Sequence, residues 1–264
     1  MLRTVFRAAV AGASAIVLLG PGARADEPDA GRVSWSGFYV GATAGYGWSD
    51  DSASLSALSS IFVDPAIPAS IDADSRGWLW GAYAGYNHQR GNLVFGFEGD
   101  ISHSDISGSG SITINQPFPF ITGTTDHEQD LKWFGTLRAR VGILPTPRLL
   151  VYATGGLAFG AGSASTTTTA SFPGIPNACA TNFFCTAGSS GKSEALVGWT
   201  AGGGLEYRIA SNWTTKLEYL YYDLGSISYT LYTTAPVFPT TPALQPDAEF
   251  RGSIVRLGLS YKFD

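Results

Sequence analysis

The stretch Val255-Arg256-Leu257-Gly258-Leu259-Ser260-Tyr261-Lys262-Phe263 decides the fold class of this chain. Its odd-numbered positions are all apolar or aromatic, and its even-numbered positions are small or cationic. Successive side chains of a β-strand point to opposite faces of the sheet. The stretch therefore predicts a strand with one apolar face and one polar face.

The same alternation recurs along the chain, and each repeat is at least as long as the roughly 9–11 residues that a tilted strand needs to cross a bilayer. The predicted strands are Gly37–Trp48, Gly77–His88, Leu93–Ser104, Leu131–Leu144, Leu149–Ala161, Leu196–Ile209, Trp213–Leu224 and Phe250–Phe263. In the fourth, the pattern assigns Leu131 and Leu137 to the apolar face, and Lys132 and Arg138 to the polar face.

The links between these segments alternate between short and long. The short links are Gln89–Asn92, Pro145–Arg148 and Ala210–Asn212, and the long ones are Ser49–Arg76, Asp105–Asp130, Gly162–Ala195 and Gly225–Glu249. A soluble sandwich also alternates with a period of two. Long strands and alternating link lengths favour the membrane form, whose turns are short in the periplasm and longer outside. The predicted fold is all-β: an eight-stranded antiparallel up-and-down transmembrane β-barrel with short periplasmic turns and four long extracellular loops.

The tryptophans lie near the ends of the predicted strands, as expected for the aromatic girdles at the two membrane interfaces. We expect Trp35 and Trp213 at the periplasmic rim. At the outer rim we expect Trp48, Trp78, Trp80, Trp133 and Trp199.

The first 25 residues have the pattern of a cleaved secretory signal peptide. Arg3 and Arg7 form a basic start, residues 8–19 are apolar, and Ala23-Arg24-Ala25 supplies a small-x-small cleavage site. Residues 26–34 are then a short periplasmic lead, and residues 35–264 are the barrel domain. After the signal, no apolar run reaches the roughly 18 residues of a membrane helix.

Charged residues make up only 14% of the chain, against about a quarter in soluble proteins, and acidic residues outnumber basic ones by 21 to 16. Three of the 16 basic residues lie in the predicted signal peptide. The mature chain is therefore strongly acidic, which argues against nucleic acid as a partner.

Three stretches resemble the small alphaproteobacterial outer-membrane β-barrel proteins, known as outer-membrane immunogenic or porin-family proteins. They are residues 35–47 (WSGFYVGATAGYG), residues 81–87 (GAYAGYN) and the closing stretch 255–263. The resemblance implies an OmpA-like barrel in the outer membrane of a Gram-negative bacterium, inserted by the barrel-assembly machinery. It brings no catalytic motif. These barrels typically end in an aromatic residue, whereas here Asp264 follows Phe263.

The polar face carries charges of both signs, and an eight-stranded barrel is only wide enough inside to be filled by side chains. Isolated charges there are costly, so we expect them to pair and close the lumen. The predicted network comprises Glu98, Asp100, Arg138, Arg140, Glu206, Arg208, Lys216, Glu218, Arg256 and Lys262.

The remaining candidates for chemistry are few. Cys179 and Cys185 lie in the third long loop, and in an exported chain we expect them to form a disulfide. His103 and Ser104 superficially suggest a lipid hydrolase, but adjacent strand residues point to opposite faces. We expect no catalytic, metal or cofactor site.

The sequence therefore predicts a structural or surface-interaction protein whose loops contact lipopolysaccharide, outer-membrane lipid or an extracellular partner. Exposed apolar loop residues fit such a role; they include Phe62, Phe118, Phe120, Phe183 and Phe184. A narrow porin for small solutes is the alternative, and a lipid-modifying enzyme is the third hypothesis.

Overall fold

The computed structural model describes residues 34–49, 52–57, 70–115, 122–171, 186–235 and 238–263. The predicted signal peptide and all but the last residue of the predicted periplasmic lead lie outside these ranges, as do Cys179, Cys185 and the five loop phenylalanines. Within the described ranges, no helix has the length and apolar character to cross a membrane.

Strands account for nearly all of the described chain. They are β1 (Gly37–Ser49), β2 (Ser52–Ala57), β3 (Ser70–Asp72), β4 (Ser75–Arg90), β5 (Leu93–Asn115), β6 (Thr122–Thr146), β7 (Leu149–Ser171), β8 (Thr186–Arg208), β9 (Trp213–Ser228), β10 (Leu231–Ala235) and β11 (Phe238–Lys262).

Eight of these strands form a closed antiparallel ring in the order β1-β4-β5-β6-β7-β8-β9-β11. The ring closes between β1 and β11, where Val40 pairs with Tyr261 and Tyr46 pairs with Val255. Each predicted strand coincides with one strand of the ring along most of its length, so the predicted fold class is confirmed. At the periplasmic end, short turns join β4 to β5, β6 to β7 and β8 to β9.

The strands continue well beyond their predicted outer ends, and the prediction that the long links are loops was therefore wrong for much of their length. β7 runs on from Gly162 to Ser171, which at about 3.3 Å per residue adds roughly 30 Å of strand. Residues 162–170 of β7 stay paired with β8, for example Thr167 with Ser189. Serine, threonine and glycine in these stretches hide the apolar alternation that marks the membrane strands.

The apolar face of the sheet lies outside the barrel in its lower part, nearer the short turns, and inside the barrel in its upper part. In the lower part, apolar residues such as Phe97 and Leu257 face outward and are 68% and 61% exposed. In the upper part, Ile106 and Leu131 are buried inside, whereas Glu128 faces solvent. The same strands thus form an inside-out barrel below and a barrel with an apolar core above.

We call the upper part the extension. It consists of β2, β3, β10 and residues 106–115, 122–131, 162–171, 186–195, 226–228 and 238–250. β2 pairs with β11, β3 pairs with β2, and β10 pairs with β11, so the wall continues above the ring. Among the side chains whose exposure the structure describes, Tyr232 is the only exposed large apolar one in the extension.

β-Bulges mark the level at which the faces change. Pairing shifts between His103 and Ile106 on β5, between Leu131 and Trp133 on β6, and between Glu249 and Arg251 on β11. The extra residue in β6 inverts the alternation of inward and outward side chains, so the faces predicted for Leu131 and Lys132 were wrong. Leu131 is buried at 3% exposure and Lys132 faces out, the reverse of the prediction.

Candidate functional site: the lumen of the barrel

Four carboxylates and four cations fill the lower lumen, and ion pairs connect all eight. They come from five strands, and each side chain is at most 4% exposed. The set comprises Glu98, Asp100, Arg138, Arg140, Glu206, Lys216, Glu218 and Arg256. Equal numbers of each sign leave it without formal net charge.

Arg138 contacts three of the four carboxylates. Its Nη2 lies 2.7 Å from Glu98 Oε1 and 3.1 Å from Asp100 Oδ2, and its Nη1 lies 3.0 Å from Glu218 Oε1. The side chain is completely buried at the centre of the lumen. One planar guanidinium thus links β5, β6 and β9 across the barrel.

Two further cations extend this arrangement. Arg256 Nε lies 2.6 Å from Glu218 Oε2, and its Nη1 lies 3.0 Å from Asp100 Oδ1. Lys216 Nζ lies 2.7 Å from Glu98 Oε1.

Arg140 joins the set on its periplasmic side. Its Nη2 lies 2.7 Å from Glu206 Oε2, and its Nη1 lies 3.4 Å from Glu98 Oε2. Thr214 donates to the second oxygen of Glu206 at 2.7 Å. The carboxylates therefore have hydroxyl partners as well as cations, as buried charges require.

Tyrosines complete the network, and sequence reasoning missed them. Tyr39 donates to Glu98 Oε2 at 3.0 Å, and Tyr152 donates to Glu218 Oε1 at 2.8 Å. Lys216 Nζ lies 3.5 Å from the centre of the Tyr83 ring. The signal was present in the sequence. The alternation of β1, β4 and β7 places these tyrosines on the face that points into the barrel.

Glycine makes room for these large side chains. A Cβ at Gly204 would lie 2.8 Å from the hydroxyl of Tyr152 and 2.5 Å from the carbonyl oxygen of Leu217. The glycine-rich strand β8 therefore allows Tyr152 to cross the lumen, as expected where small residues accommodate larger neighbours.

Two predicted network residues lie nearer the periplasmic mouth, where Arg208 and Lys262 are 7% and 8% exposed. Arg208 donates to the carbonyl oxygens of Ser34 at 2.7 Å and Ser211 at 3.0 Å. It thus binds the backbone at the mouth of the barrel.

Trp35 is not a girdle residue, and this prediction was wrong. It is 2% exposed and packs inside the periplasmic mouth in an apolar cluster with Val94 and Leu150. Its indole N–H donates to the carbonyl oxygen of Pro147 at 3.1 Å, and the Arg208 guanidinium lies 4.9 Å from its ring centre. Residues 34–36 precede β1 and cross the opening, and Trp35 shares the inward-facing, odd-numbered positions of Tyr39.

We call residues 34–36 the strap. Its backbone N–H at Trp35 donates to Gln89 Oε1 at 2.8 Å, and the hydroxyl of Ser36 accepts from the backbone N–H of Gln89 at 2.8 Å. Together with Pro147 and Arg208, these contacts fasten the strap to residues beside all three short turns. The periplasmic mouth is covered as a result.

The other six predicted girdle residues face outward. Trp213 is 43% exposed at the periplasmic end, and Trp133 is half-buried. The remaining four, 39–65% exposed, are Trp48, Trp78, Trp80 and Trp199.

An apolar cluster fills the lumen above the charges. Phe134, Leu220 and Ile254 are completely buried, directly above the ion pairs on their strands. The cluster continues upward through Ile106 and Phe250 into the extension. The described interior is thus filled by charged groups below and apolar groups above.

The residues proposed for hydrolase chemistry do not meet. Ser104 points inward, is 4% exposed and accepts from the backbone N–H of Ile106 at 3.2 Å. His103 points outward, 3.1 Å from Asp105. Within the described ranges, no group of three or more His, Cys, Asp or Glu side chains is arranged to hold a metal ion.

Comparisons with known proteins place this geometry in context. A family model described as the outer membrane protein beta-barrel domain matches residues 12–263. The chain is 34% identical over 231 residues to the 31 kDa outer-membrane immunogenic protein of Brucella melitensis, covering 87% of this chain and 84% of that protein. It is 30% identical over 200 residues to a 22 kDa outer membrane protein of Rhizobium leguminosarum, covering 75% and 68%.

Among solved structures, the outer membrane protein OprG of Pseudomonas aeruginosa matches with a TM-score of 0.48 and 15% identity. The match covers 86% of this chain and 96% of OprG.

Proposed function

Because the chain belongs to the outer membrane protein β-barrel family, we propose that it is a closed barrel whose role is structural and surface-interacting. The membrane part anchors the protein and carries no solutes. The extension presents a folded, water-facing wall at the cell surface. Lipopolysaccharide, outer-membrane lipid and an extracellular partner are its proposed contacts, and the barrel-assembly machinery inserts it.

The observation that carries this proposal is the ion-pair network of the lower lumen. Arg138 and Arg256 connect carboxylates on opposite walls, with nitrogen–oxygen distances of 2.6–3.1 Å. A solute passing through must break several such pairs at once, and breaking a buried pair costs about 3–5 kcal/mol. The strap below and the apolar cluster above are two further obstacles on the same path.

The polar outer wall of the extension supports the surface role. Its outward side chains include Asp72, Glu128 and Asp130, with Arg76 beside them around a cavity of about 560 Å³. Carboxylates and hydroxyls on a wall immediately above the membrane suit contact with the polar parts of neighbouring envelope molecules.

Planar-bilayer recording of the purified, refolded protein tests the closed lumen. We expect no steady current above that of protein-free bilayers at either polarity, with a known porin reconstituted in parallel to show that insertion and detection work. A reproducible, large-conductance open state would overturn the proposal and favour the narrow porin.

A further inference from the structure

His127 is a buried titratable residue inside the extension, outside the lumen network. It lies on β6, faces the interior and is 0% exposed. Its Nδ1 is 2.9 Å from the hydroxyl of Thr166 on β7. That hydroxyl is in turn 2.7 Å from the hydroxyl of Tyr229, which follows β9. A chain of three side chains thus ties two strands of the extension to the residue that follows β9.

The surroundings of the imidazole are apolar or neutral. His127 pairs across the ladder with Gly110 of β5, beside Ile71 of β3. Two residues along β6, Gln129 donates to Ser75 at 2.7 Å. Burial raises the pKa of Tyr229, so this phenol stays neutral in the pH range that concerns His127.

No carboxylate among the described residues pairs with His127. Asp126 and Glu128 adjoin it in sequence, but the strand alternation turns both to the outer face. Lys192 and Glu194 on β8 pair with each other at 2.8 Å and are about half exposed. Charge placed on the imidazole therefore has no buried counterion.

Burial lowers the pKa of His127 below its usual value, and the nearby Gln129 side chain opposes this only in part. A histidine with a lowered pKa in the folded state binds its proton more readily when the structure around it opens. Above the ordinary histidine pKa of about 6.5, the imidazole is neutral in both the closed and the open form, and the extension has its full stability. That stability declines as the pH falls below this value.

We propose that His127 is an acid switch for the extension. Protonation places a cation in the apolar interior and loosens the contacts of β6 with β7 and with Tyr229. The ring of membrane strands below stays closed, because its pairing does not involve this residue. Mild acid would thereby uncover apolar residues such as Ile106 and Ile227 at the cell surface.

Hydrogen–deuterium exchange of the full protein in detergent tests this proposal. Rates are corrected for the intrinsic effect of pH and compared at pH 7.5 and pH 5.0. We expect peptides covering residues 122–131 and 162–171 to exchange about tenfold faster at pH 5.0, as for a histidine whose proton affinity differs between open and closed forms. A peptide covering residues 137–143 of the membrane ring should not change.

His127→Gln should retain protection at pH 7.5 and lose the acid response, because glutamine keeps a hydrogen-bonding group for Thr166 and does not titrate. His88→Gln and His103→Gln, at exposed histidines, are the matched controls and should respond like the wild type. An unchanged exchange rate at pH 5.0 in the wild type, or an intact acid response in His127→Gln, would overturn the proposal.

NMR of histidine-labelled wild-type protein keeps the test independent of whether the variant folds. The imidazole of His127 should titrate together with the loss of amide protection in residues 122–131. Protonation without loss of protection, or loss of protection with a neutral His127, would also overturn the proposal.

Discussion

Arg138 is a completely buried cation that pairs with three of the four lumen carboxylates. Replacing it with methionine keeps much of the side-chain volume and removes one of the two arginines that contact Glu98, Asp100 and Glu218, which leaves the buried set with one unbalanced negative charge. We expect Arg138→Met to lower the free energy of unfolding by about 3–5 kcal/mol, because it leaves buried charges uncompensated. Urea unfolding in detergent micelles, followed by heat-modifiable gel migration, measures this.

Arg251→Met is the matched control for Arg138. Arg251 also forms an ion pair, 2.7 Å from Glu249, but both side chains are almost half exposed. Such surface pairs contribute about 0–1 kcal/mol. Equal losses in the two variants would contradict the central role given to Arg138.

Gly225 has a backbone conformation that favours glycine. It has a φ of 80°, and it lies where the pairing between β9 and β11 shifts. Gly225→Ala should cost about 1–2 kcal/mol of unfolding free energy, because an L-residue resists the left-handed region.

Gly155→Ala controls for the added methyl group. A Cβ there would lie 3.5 Å from its nearest neighbour, an ordinary contact distance, and its φ is not in the left-handed region. We expect a change within about 0.5 kcal/mol at this position. A loss at Gly155 that matches the loss at Gly225 would show that the bulge does not require a left-handed residue.

At the scale of an element, the strap closes the periplasmic mouth. Trp35→Ala removes the indole from the cluster that it shares with Leu150, which is completely buried. We expect a loss of about 3–5 kcal/mol, as for other buried tryptophans. In a background with Cys179 and Cys185 replaced by serine, a cysteine introduced by Leu150→Cys should become reactive to a membrane-impermeant thiol reagent when Trp35 is replaced.

Trp213→Ala tests whether this effect is specific to the strap. Trp213 lies at the same end of the barrel but is 43% exposed on the outer face. Its loss should leave the cysteine at position 150 unreactive. Equal reactivity in the two tryptophan variants would show that the strap does not seal the mouth.

Sequence patterns predicted some elements well and others badly, for physical reasons. The lower strands were predictable because lipid on one side and buried charge on the other force a strict alternation, as in β11. The extension was missed because a wall with water outside needs no apolar outer face. Serine and threonine occupy many of its positions, so the apolar alternation of a membrane strand is absent. Trp35 was assigned to the wrong surface because its place at the end of the segment was interpreted as a girdle position, although it shares the odd-numbered, inward face of Tyr39.

The lumen site was also predictable only in part: its residues could be predicted, but their pairing could not. Alternation alone assigned Arg138 and Glu98 to the interior. It does not indicate which cation lies beside which carboxylate, because pairing depends on the stagger of neighbouring strands around the ring. The bulge in β6 moved Leu131 and Lys132 to the faces opposite those predicted, and the extra residue has no distinct signature in the sequence.

Over the whole molecule, one continuous wall has its apolar face outside in the membrane part and inside in the extension. Spin labels at single positions of β11 test this directly, through their accessibility to oxygen in lipid and to a nickel chelate in water. In lipid nanodiscs, a label at Leu257 should be accessible to oxygen and shielded from nickel. A label at Gln245 should be accessible to nickel, and a label at Ala248 should be accessible to neither. Nickel access at Leu257, or shielding of that label by protein rather than by lipid, would contradict this reversal of the apolar face.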